Sequence, residues 1–592
     1  MSRDDIVVEN SIFHIHYCVY RGKILSLPNQ ENNHTMKLLP NTLLILCMLL
    51  CSSKLHAQVD SLATAQQPVD SVAMVDIPNN QIWYKATRKI EPRSKGAFGA
   101  KYLSNEWDAT TGKGVITFDG DVRGVGAMAF QNLRNISSVE LPHTVKMIGQ
   151  GAFAYSSGIR SVIIHEGVET IGTDAFYGCE CLESVDLPST IKVVGNSAFR
   201  DCTHIKALHL PDGVAMIGED VFSGCTRLEE VTLPCGLAEI PANTFSKCTS
   251  LRSITIPSDV TEIHYDAFEY CSSLEHVTIP GGVVAIGDYA FQHCTNLESI
   301  LLSNSLESIG RDCFFGCSSL RMVAIPESVT MLDYNAFGGC TTLMRFYGKY
   351  ASECGRYLVR DNEIIAYAGG SGNEFVVPES ITAIGDNAFN GCKNLSKLQL
   401  HDKITYFGDC ALMNCTAITS IALPDGIAYL GYSAFEGCTE LGYVNIPKSI
   451  TLIEKDTFHN CKSLTSITIP DGVTKIDSEA FRGCVNLSSI NIPNQVTNIC
   501  ASAFRGCTSL ESITLPATLQ TIEEYAFADC SALCMLYFMG SVPPTCESHL
   551  LDHAANEVVV YVPVSDDSSV VDAYRAVAEL SGAVDAIITH EL

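Results

Sequence analysis

The chain repeats one apolar residue at a fixed spacing over most of its length. Phenylalanine, once leucine, recurs in seventeen copies of one local pattern, separated by fifteen steps of 23 residues and one of 52. A fixed period of this length indicates a unit that can bury its apolar face only against copies of itself. The sequence therefore predicts a solenoid. The anchor positions are Phe130, Phe153, Phe176, Phe199, Phe222, Phe245, Phe268, Phe291, Phe314, Phe337, Phe389, Leu412, Phe435, Phe458, Phe481, Phe504 and Phe527.

Residues 510–530 show the repeating unit clearly. Alternation of Ile513 and Leu515 places both side chains on one face of a short strand, and Pro516 ends that strand because it lacks an N–H. Thirteen of the sixteen units after the first carry this proline. The second half of the unit predicts a turn and a short helical or 3₁₀ segment that returns the chain to its start. Successive strands would then pair in parallel, and seventeen coils at about 4.8 Å each would span about 80 Å.

The pattern L-x-x-I-x-L-P, followed by I-G-x-x-A-F-x-x-C, resembles that of the BspA-type leucine-rich-repeat family of bacterial cell-surface proteins. The lead-in from Trp107 to Gly120 resembles the same family, and the likeness covers residues 82–575. It implies a secreted or surface protein of a host-associated anaerobe, in a family whose members include adhesins for host proteins. Some columns depart from the family pattern: His165, Ser303 and His401 replace the proline, Leu412 the phenylalanine, and Leu133 and Ser156 the cysteine.

The predicted fold class is accordingly an α/β repeat solenoid. We expect a leucine-rich-repeat stack of about 17 units of 23 residues with a parallel β-sheet on the concave face. A stack needs a cover at each end. Alternating apolar residues in 82–86 and 114–118 predict a β-rich N-terminal cap, and the strand and helix patterns at 558–563 and 570–579 predict a β/α C-terminal cap.

The first eighty residues read as export and spacer segments. Met36 opens a segment whose apolar run, residues 42–50, is too short to span a bilayer and is followed by a small residue at Ala57. We therefore interpret residues 36–57 as a signal peptide cleaved before Gln58, with lipidation at Cys51 as the alternative. Residues 1–35 would then precede the true start of the protein, so no metal site is read into their His-x-His-x-Cys triplet. Residues 58–80 have the composition of a flexible spacer.

The remaining boundaries follow from the period. Residues 81–125 form the N-terminal cap, residues 126–345 and 376–537 the repeats, and residues 538–592 the C-terminal cap. Residues 346–375, which we call the island, fall in the one long interval. No apolar segment after the signal is long enough to cross a membrane, and we expect a monomer on the outer cell surface or secreted.

Charge and motifs narrow the functional classes. A net charge of −28 disfavours nucleic acid and anionic lipid. The glycines near Phe130 that mimic a dinucleotide-binding motif are repeat columns, and neither a nucleophile elbow nor a phosphate-binding loop is recognisable. We therefore expect no enzyme activity, no cofactor and no metal.

Fifteen of the 26 cysteines occupy one column of the repeat, three residues after the anchor, from Cys179 to Cys530. In an exported protein, this many cysteines would be consistent with a framework of disulfides. The periodicity instead favours a buried stack of thiols that behave as small apolar groups and weak donors to turn carbonyls.

The island is the candidate site because function tends to lie where a regular pattern breaks. Its sequence predicts a β-hairpin around Asp361-Asn362, and it is rich in aromatic residues, which are favoured in recognition surfaces. The candidate ligand-binding residues are Tyr347, Tyr350, Tyr357 and Tyr367. The alternative is that these rings pack inward.

The predicted function is adhesion-type recognition of a macromolecule, a host or bacterial surface protein or a glycan, at the island or on the concave sheet. A purely structural surface protein is the first alternative, because outward strand residues such as Ser466, Thr468 and Asn491 are small. An enzyme is the second alternative.

Overall fold

The computed structural model describes residues 17–20, 23–26, 77–555, 558–564, 568–577 and 586–590. The signal peptide and most of the predicted spacer lie outside these residues. The chain divides into two units, residues 1–76 and 77–592. In the first unit, the strands Tyr17–Tyr20 and Lys23–Ser26 pair antiparallel. The second unit contains the solenoid.

Most coils of the solenoid contribute two short strands, and equivalent strands of successive coils stack in parallel. Residue 161 pairs with residue 184, and residue 170 with residue 193, which is the 23-residue period expressed as register. The predicted parallel stack is therefore confirmed. We call the stack of strands that carry the L-x-x-I-x-L pattern the first ladder, and the stack of strands that precede the anchor the second ladder.

The first ladder contains the L-x-x-I-x-L strands, whose apolar side chains point into the core. Its strands are Ile136–Glu140, Ser161–Ile163, Ser184–Val185, Ala207–His209, Glu230–Thr232, His276–Thr278, Ser299–Leu301, Met322–Ile325, Arg345–Gly348, Glu374–Val376, Lys397–Gln399, Ser420–Ala422, Tyr443–Asn445, Ser466–Thr468, Ser489–Asn491, Ser512–Leu515, Met535–Phe538, Val559–Pro563 and Ala586–His590.

The second ladder contains the strands that precede the anchor. They are Gly124–Val125, Met147–Ile148, Thr170–Ile171, Val193–Val194, Met216–Ile217, Glu239–Ile240, Glu262–Ile263, Ala285–Ile286, Ser308–Ile309, Met331–Leu332, Ala383–Ile384, Tyr406–Phe407, Tyr429–Leu430, Leu452–Ile453, Lys475–Ile476, Asn498–Ile499, Thr521–Ile522 and Thr545–Cys546.

The return segment of each coil consists of turns rather than the predicted helix or 3₁₀ segment. Its backbone amides alternate between hydrogen-bond partners in the same turn and in the next coil. Ala175 N donates within the turn to Gly172 O at 3.2 Å, and Phe176 N donates to Ala198 O of the next coil at 2.8 Å. Asp174 has a φ of 57°, and other coils also have a left-handed residue at this position. A left-handed residue interrupts a right-handed helix, so the segment forms a third stacked face instead.

The core is a column of anchor rings beside a column of thiols. From Phe130 to Phe337, neighbouring rings stack with centroids 5.0–6.0 Å apart and planes within 2–19°. Where Leu412 replaces the anchor, Phe407 lies 5.5 Å from Phe435 and continues the stack. The column cysteines from Cys179 to Cys530 form no disulfides, and Cys179 Sγ donates to Phe153 O of the preceding coil at 3.2 Å, a bond that the column repeats.

Both ends of the stack are closed as predicted. At the N-terminal end, Gln81–Ala86 pairs antiparallel with Lys113–Phe118 and Ile136–Glu140, while Tyr102–Trp107 extends the sheet. At the C-terminal end, the helix Ser569–Arg575 buries Tyr574, whose hydroxyl donates to Gly540 O at 2.8 Å. The final strand, residues 586–590, was not predicted from the sequence. No helix in the described residues combines the length and apolarity needed to cross a bilayer.

Candidate recognition site at the interrupted repeat

The island is an insertion into a stack that remains continuous on one face. On the turn face, Gly316 N donates to Gly338 O at 2.8 Å, and Gly339 N donates to Asn390 O at 3.0 Å. The coil of Phe337 therefore stacks directly on the coil of Phe389. The 52-residue interval contains two first-ladder strands, Arg345–Gly348 and Glu374–Val376, but only one turn segment with its anchor.

The insertion contains the predicted β-hairpin. The strands Tyr357–Arg360 and Glu363–Tyr367 pair antiparallel around Asp361 and Asn362, which have φ values of 51° and 65°. Two left-handed residues match the turn type that suits the twist of a tight hairpin, and aspartate and asparagine tolerate that conformation. The second hairpin strand then joins the second ladder by parallel pairing with Ala383–Ile384.

Two of the four predicted site residues are buried. Tyr367 packs against Phe389 with ring centroids 4.8 Å apart, and Tyr357 packs against Phe375 with centroids 5.5 Å apart. Arg356 donates to the Tyr367 hydroxyl and, at 2.7 Å, to the Glu374 carbonyl. These rings therefore fill the core at the interruption of the anchor column, as the inward-packing alternative expected for them.

The other two site residues, Tyr347 and Tyr350, are partly exposed. Tyr347 lies on the first ladder in register with Ala324. The Tyr350 hydroxyl lies 3.4 Å from Thr330 O, and Lys349 Nζ lies 5.3 Å from the centre of the Tyr350 ring. The fold thus separates the four tyrosines into a buried pair and a surface pair.

Sequence reasoning missed an exposed apolar surface beside Tyr347. Leu301 is 44% exposed and Val376 is 63% exposed at outward first-ladder positions, and Met322 is also exposed in this region. Farther along the ladder, the corresponding residues include exposed Thr468 and Asn491. The signal was present in the sequence, because most other residues in these columns are small or polar, such as Thr278, Ser299 and Thr468.

The insertion also opens a cleft of about 370 Å³ between the Met331–Leu332 strand and the second hairpin strand. Its lining includes apolar Phe337 and Ile365 and charged Arg360 and Glu363. Burial raises the pKa of the Glu363 carboxyl, and neighbouring Arg360 opposes that shift. This cleft could not be predicted from the sequence, because it depends on which face of the stack the insertion leaves open.

One cluster elsewhere has metal-ligating side chains. Potential ligand atoms of Asp456, His459 and Glu479 lie within 4.8 Å of one another. Arg482 Nη1 donates to Glu479 at 2.7 Å, and Lys455 Nζ lies 3.7 Å from Asp456. Since cationic side chains already face these carboxylates, the cluster is an ion-pair network in this structure.

Comparison with known proteins identifies the repeat. The family model described as BspA type leucine-rich repeat region matches residues 123–250, 216–344, 365–487 and 451–549. Solenoids of this kind are typically non-catalytic. No curated protein sequence matches the chain.

Several solved structures resemble the chain. A leucine-rich repeat protein from Bacteroides ovatus is 27% identical, covers 67% of this chain and 84% of its own, and has a TM-score of 0.39. A leucine-rich cell surface protein from Faecalibacterium prausnitzii is 22% identical, with coverages of 77% and 96% and a TM-score of 0.34. The pneumococcal vaccine antigen PcpA is 16% identical, with coverages of 86% and 100% and a TM-score of 0.34.

Proposed function

Because the chain belongs to the BspA-type leucine-rich-repeat family, we propose that it is a recognition protein of the bacterial cell surface. It binds a macromolecule, a host or bacterial surface protein or a glycan, through the island and the first-ladder strands beside it. Adhesion is the role that such binding would serve. The island interrupts ladders that otherwise keep a 23-residue register, so it offers a specific ligand a surface that the regular coils do not repeat.

The observation that carries this proposal is the change in surface character at the island. Tyr347 is partly exposed one strand away from exposed Met322 and two strands away from exposed Leu301, whereas strands farther along carry residues such as Thr468. Contiguous exposed apolar residues mark interaction surfaces, and tyrosine is enriched among the residues that carry most of a binding energy. The ordered ladder beneath these side chains also limits the entropy lost on binding.

Export by the signal peptide at residues 36–57 belongs to the same proposal, with maturation before Gln58. The alternative is a lipoprotein attached through Cys51. Mass spectrometry of the protein from its native cells distinguishes the two, because the mature chain begins at Gln58 in one case and at a diacylated Cys51 in the other. A mature chain that retains any of residues 1–35 would contradict both.

The binding experiment uses the purified full chain on arrays of matrix proteins, bacterial surface proteins and glycans. For any ligand found, Tyr347→Ser combined with Tyr350→Ser should weaken binding more than tenfold. Thr468→Ala combined with Asn491→Ala is the matched control on regular strands. Circular dichroism and melting temperature establish that each variant is folded.

Two results would contradict the proposed recognition site at the island. Equal loss in the control variant would place the site on the regular sheet. Absence of any ligand across the arrays would favour a purely structural surface protein, which the small polar residues of the distant strands also fit.

A further inference from the structure

The second ladder is open beside the hairpin, although the turn face closes over the same coils. The sheet that ends at Met331–Leu332 and the sheet that begins with the hairpin are separate. Arg360 Nη1 donates to Leu332 O at 3.2 Å and spans the gap. The resulting cleft of about 370 Å³ lies at the lower end of the range for ligand pockets.

The cleft combines an apolar floor with an acidic lining. Its charged lining residues are Asp333, Glu363, Asp386 and Arg360, three carboxylates against one guanidinium. Asp386 Oδ1 accepts two hydrogen bonds, one from the Tyr406 hydroxyl at 3.0 Å and one from Asp409 N at 2.9 Å. The local charge excess is negative, as is the charge of the whole chain.

Glu363 is the group whose setting most requires a partner. Its carboxyl is half-buried, and burial raises its pKa. Among the described residues, no side chain donates a hydrogen bond to it and no cation lies within ion-pair distance. A carboxylate held partly out of water without a donor gains from a cationic ligand that restores its hydrogen bonds.

Tyr334 supplies an aromatic wall that already binds a guanidinium. It lines the cleft and is 48% exposed. Arg311 lies with its guanidinium carbon 5.6 Å from the Tyr334 ring centre and 4.8 Å from that of Tyr289, and it donates to the Tyr334 hydroxyl at 2.8 Å. Flat cations and tyrosine faces attract each other. The chain thus shows, within itself, the contact that a basic ligand would make here.

We propose that this cleft binds an arginine or lysine side chain of a partner protein, with its aliphatic stem on the apolar floor and its charged head against Glu363. The inference rests on the proposed function, because it assigns a second contact to the same island. Charge complementarity selects this occupant over an anionic glycan. A neutral glycan is the competing occupant that the experiment must separate.

The test is titration of the full chain with a fluorescent acetyl-Gly-Gly-Arg-Gly-Gly-amide peptide at low salt. The same peptide with citrulline, which keeps the shape of arginine and removes its charge, is the matched probe. We expect the citrulline peptide to bind at least tenfold more weakly, and added salt to weaken the arginine peptide. Equal binding of the two peptides would overturn the proposal.

Variants locate the binding. Glu363→Gln should weaken the arginine peptide about tenfold, whereas Glu374→Gln, the same change on the first ladder, should leave it unchanged. Equal effects of Glu363→Gln and Glu374→Gln would overturn the proposal. The proposal would also be overturned if a neutral oligosaccharide bound in a way that requires Glu363 and the arginine peptide did not bind.

The two proposals can fail separately. The Tyr347→Ser and Tyr350→Ser combination leaves the cleft intact, so peptide binding should persist in it. Peptide binding without any macromolecular ligand would leave the cleft assignment standing and count against the recognition function.

Discussion

The hydroxyl of Ser156 donates a hydrogen bond of 2.6 Å to the carbonyl oxygen of Phe130, 26 residues earlier. Cys179 makes the same bond to Phe153 one coil later, at 3.2 Å. Ser156 Oγ also accepts the amide of Leu133 at 2.9 Å. The residue in this column therefore donates a hydrogen bond to the buried carbonyl of the preceding anchor. A hydroxyl can donate that bond as well as a thiol.

This relationship predicts the cost of replacing one thiol. Cys438 Sγ donates to Leu412 O at 3.1 Å. Cys438→Ser should lower the free energy of unfolding by no more than about 1 kcal/mol, since the hydroxyl keeps the bond. Cys438→Ala should cost about 1–2 kcal/mol, because it leaves a buried carbonyl unpaired and a small cavity. Chemical denaturation measures both, and a serine variant less stable than the alanine variant would contradict the hydrogen-bond account.

Thiol reactivity should follow burial. Burial raises the pKa of Cys179, Cys225 and Cys484 to about 12. In the folded chain these thiols are therefore inaccessible to an alkylating reagent, and few of them are in the reactive thiolate form. Exposed Cys235 and Cys354 should be alkylated in the native protein, and the column only after unfolding. Mass spectrometry of alkylated peptides, with and without reductant, gives the number of cysteines that have reacted. Column cysteines that remain blocked after unfolding without reductant would indicate disulfides.

The repeat, its register and its closed ends could be predicted because the 23-residue period repeats the same evidence in every unit. The return segment could not, because a 3₁₀ helix and successive turns share the same hydrogen bonds between residues i and i+3. The difference lies in left-handed residues such as Asp174 and Asn335, which the sequence shows only as polar positions. The hairpin was predictable from Asp361-Asn362. Which tyrosines of the island face inward was not, because it depends on where the interrupted ring column needs filling.

Close approach between coils predicts which glycines can be replaced. A Cβ on Gly195 would lie 2.5 Å from Thr173 N, a backbone atom of the preceding coil that cannot easily move. Gly195→Ala should therefore lower stability by about 1–3 kcal/mol. Gly472→Ala is the matched control, since its nearest atoms lie at 3.8 Å. Similar melting temperatures for the two variants would show that the coils separate more easily than the structure indicates.

Tyr367 should be a stability residue. Its ring is buried against Phe389 and its hydroxyl accepts from Arg356. Tyr367→Phe should cost about 1–2 kcal/mol through the lost hydrogen bond, and Tyr367→Ser about 3–5 kcal/mol through the cavity. Thermal melting checks the order of the two variants. A Tyr367→Ser chain that melts like the wild type but loses a ligand would place this ring in the binding site instead.

Asp266 should make stability fall as pH rises. Burial, followed by the neighbouring carboxylates of Glu269 and Asp288, raises the pKa of this carboxyl from 3.8 to about 6. Between these two values the folded state binds more protons than the unfolded state, so unfolding free energy decreases as pH rises through that window.

Asp266→Asn should remove this penalty and stabilise the chain at neutral pH by about 1 kcal/mol, once solvent screening of a partly exposed group is allowed for. Asparagine suits the site, because Asn243 and Asn335 hold the same left-handed conformation in other coils. Denaturation midpoints of the wild type, Asp266→Asn and the exposed control Asp259→Asn, compared at acid and neutral pH, provide the measurement. The gain should be present at neutral pH and vanish below the unfolded pKa. If it does not depend on pH, then the substitution acts through packing and not through the ionisation of Asp266.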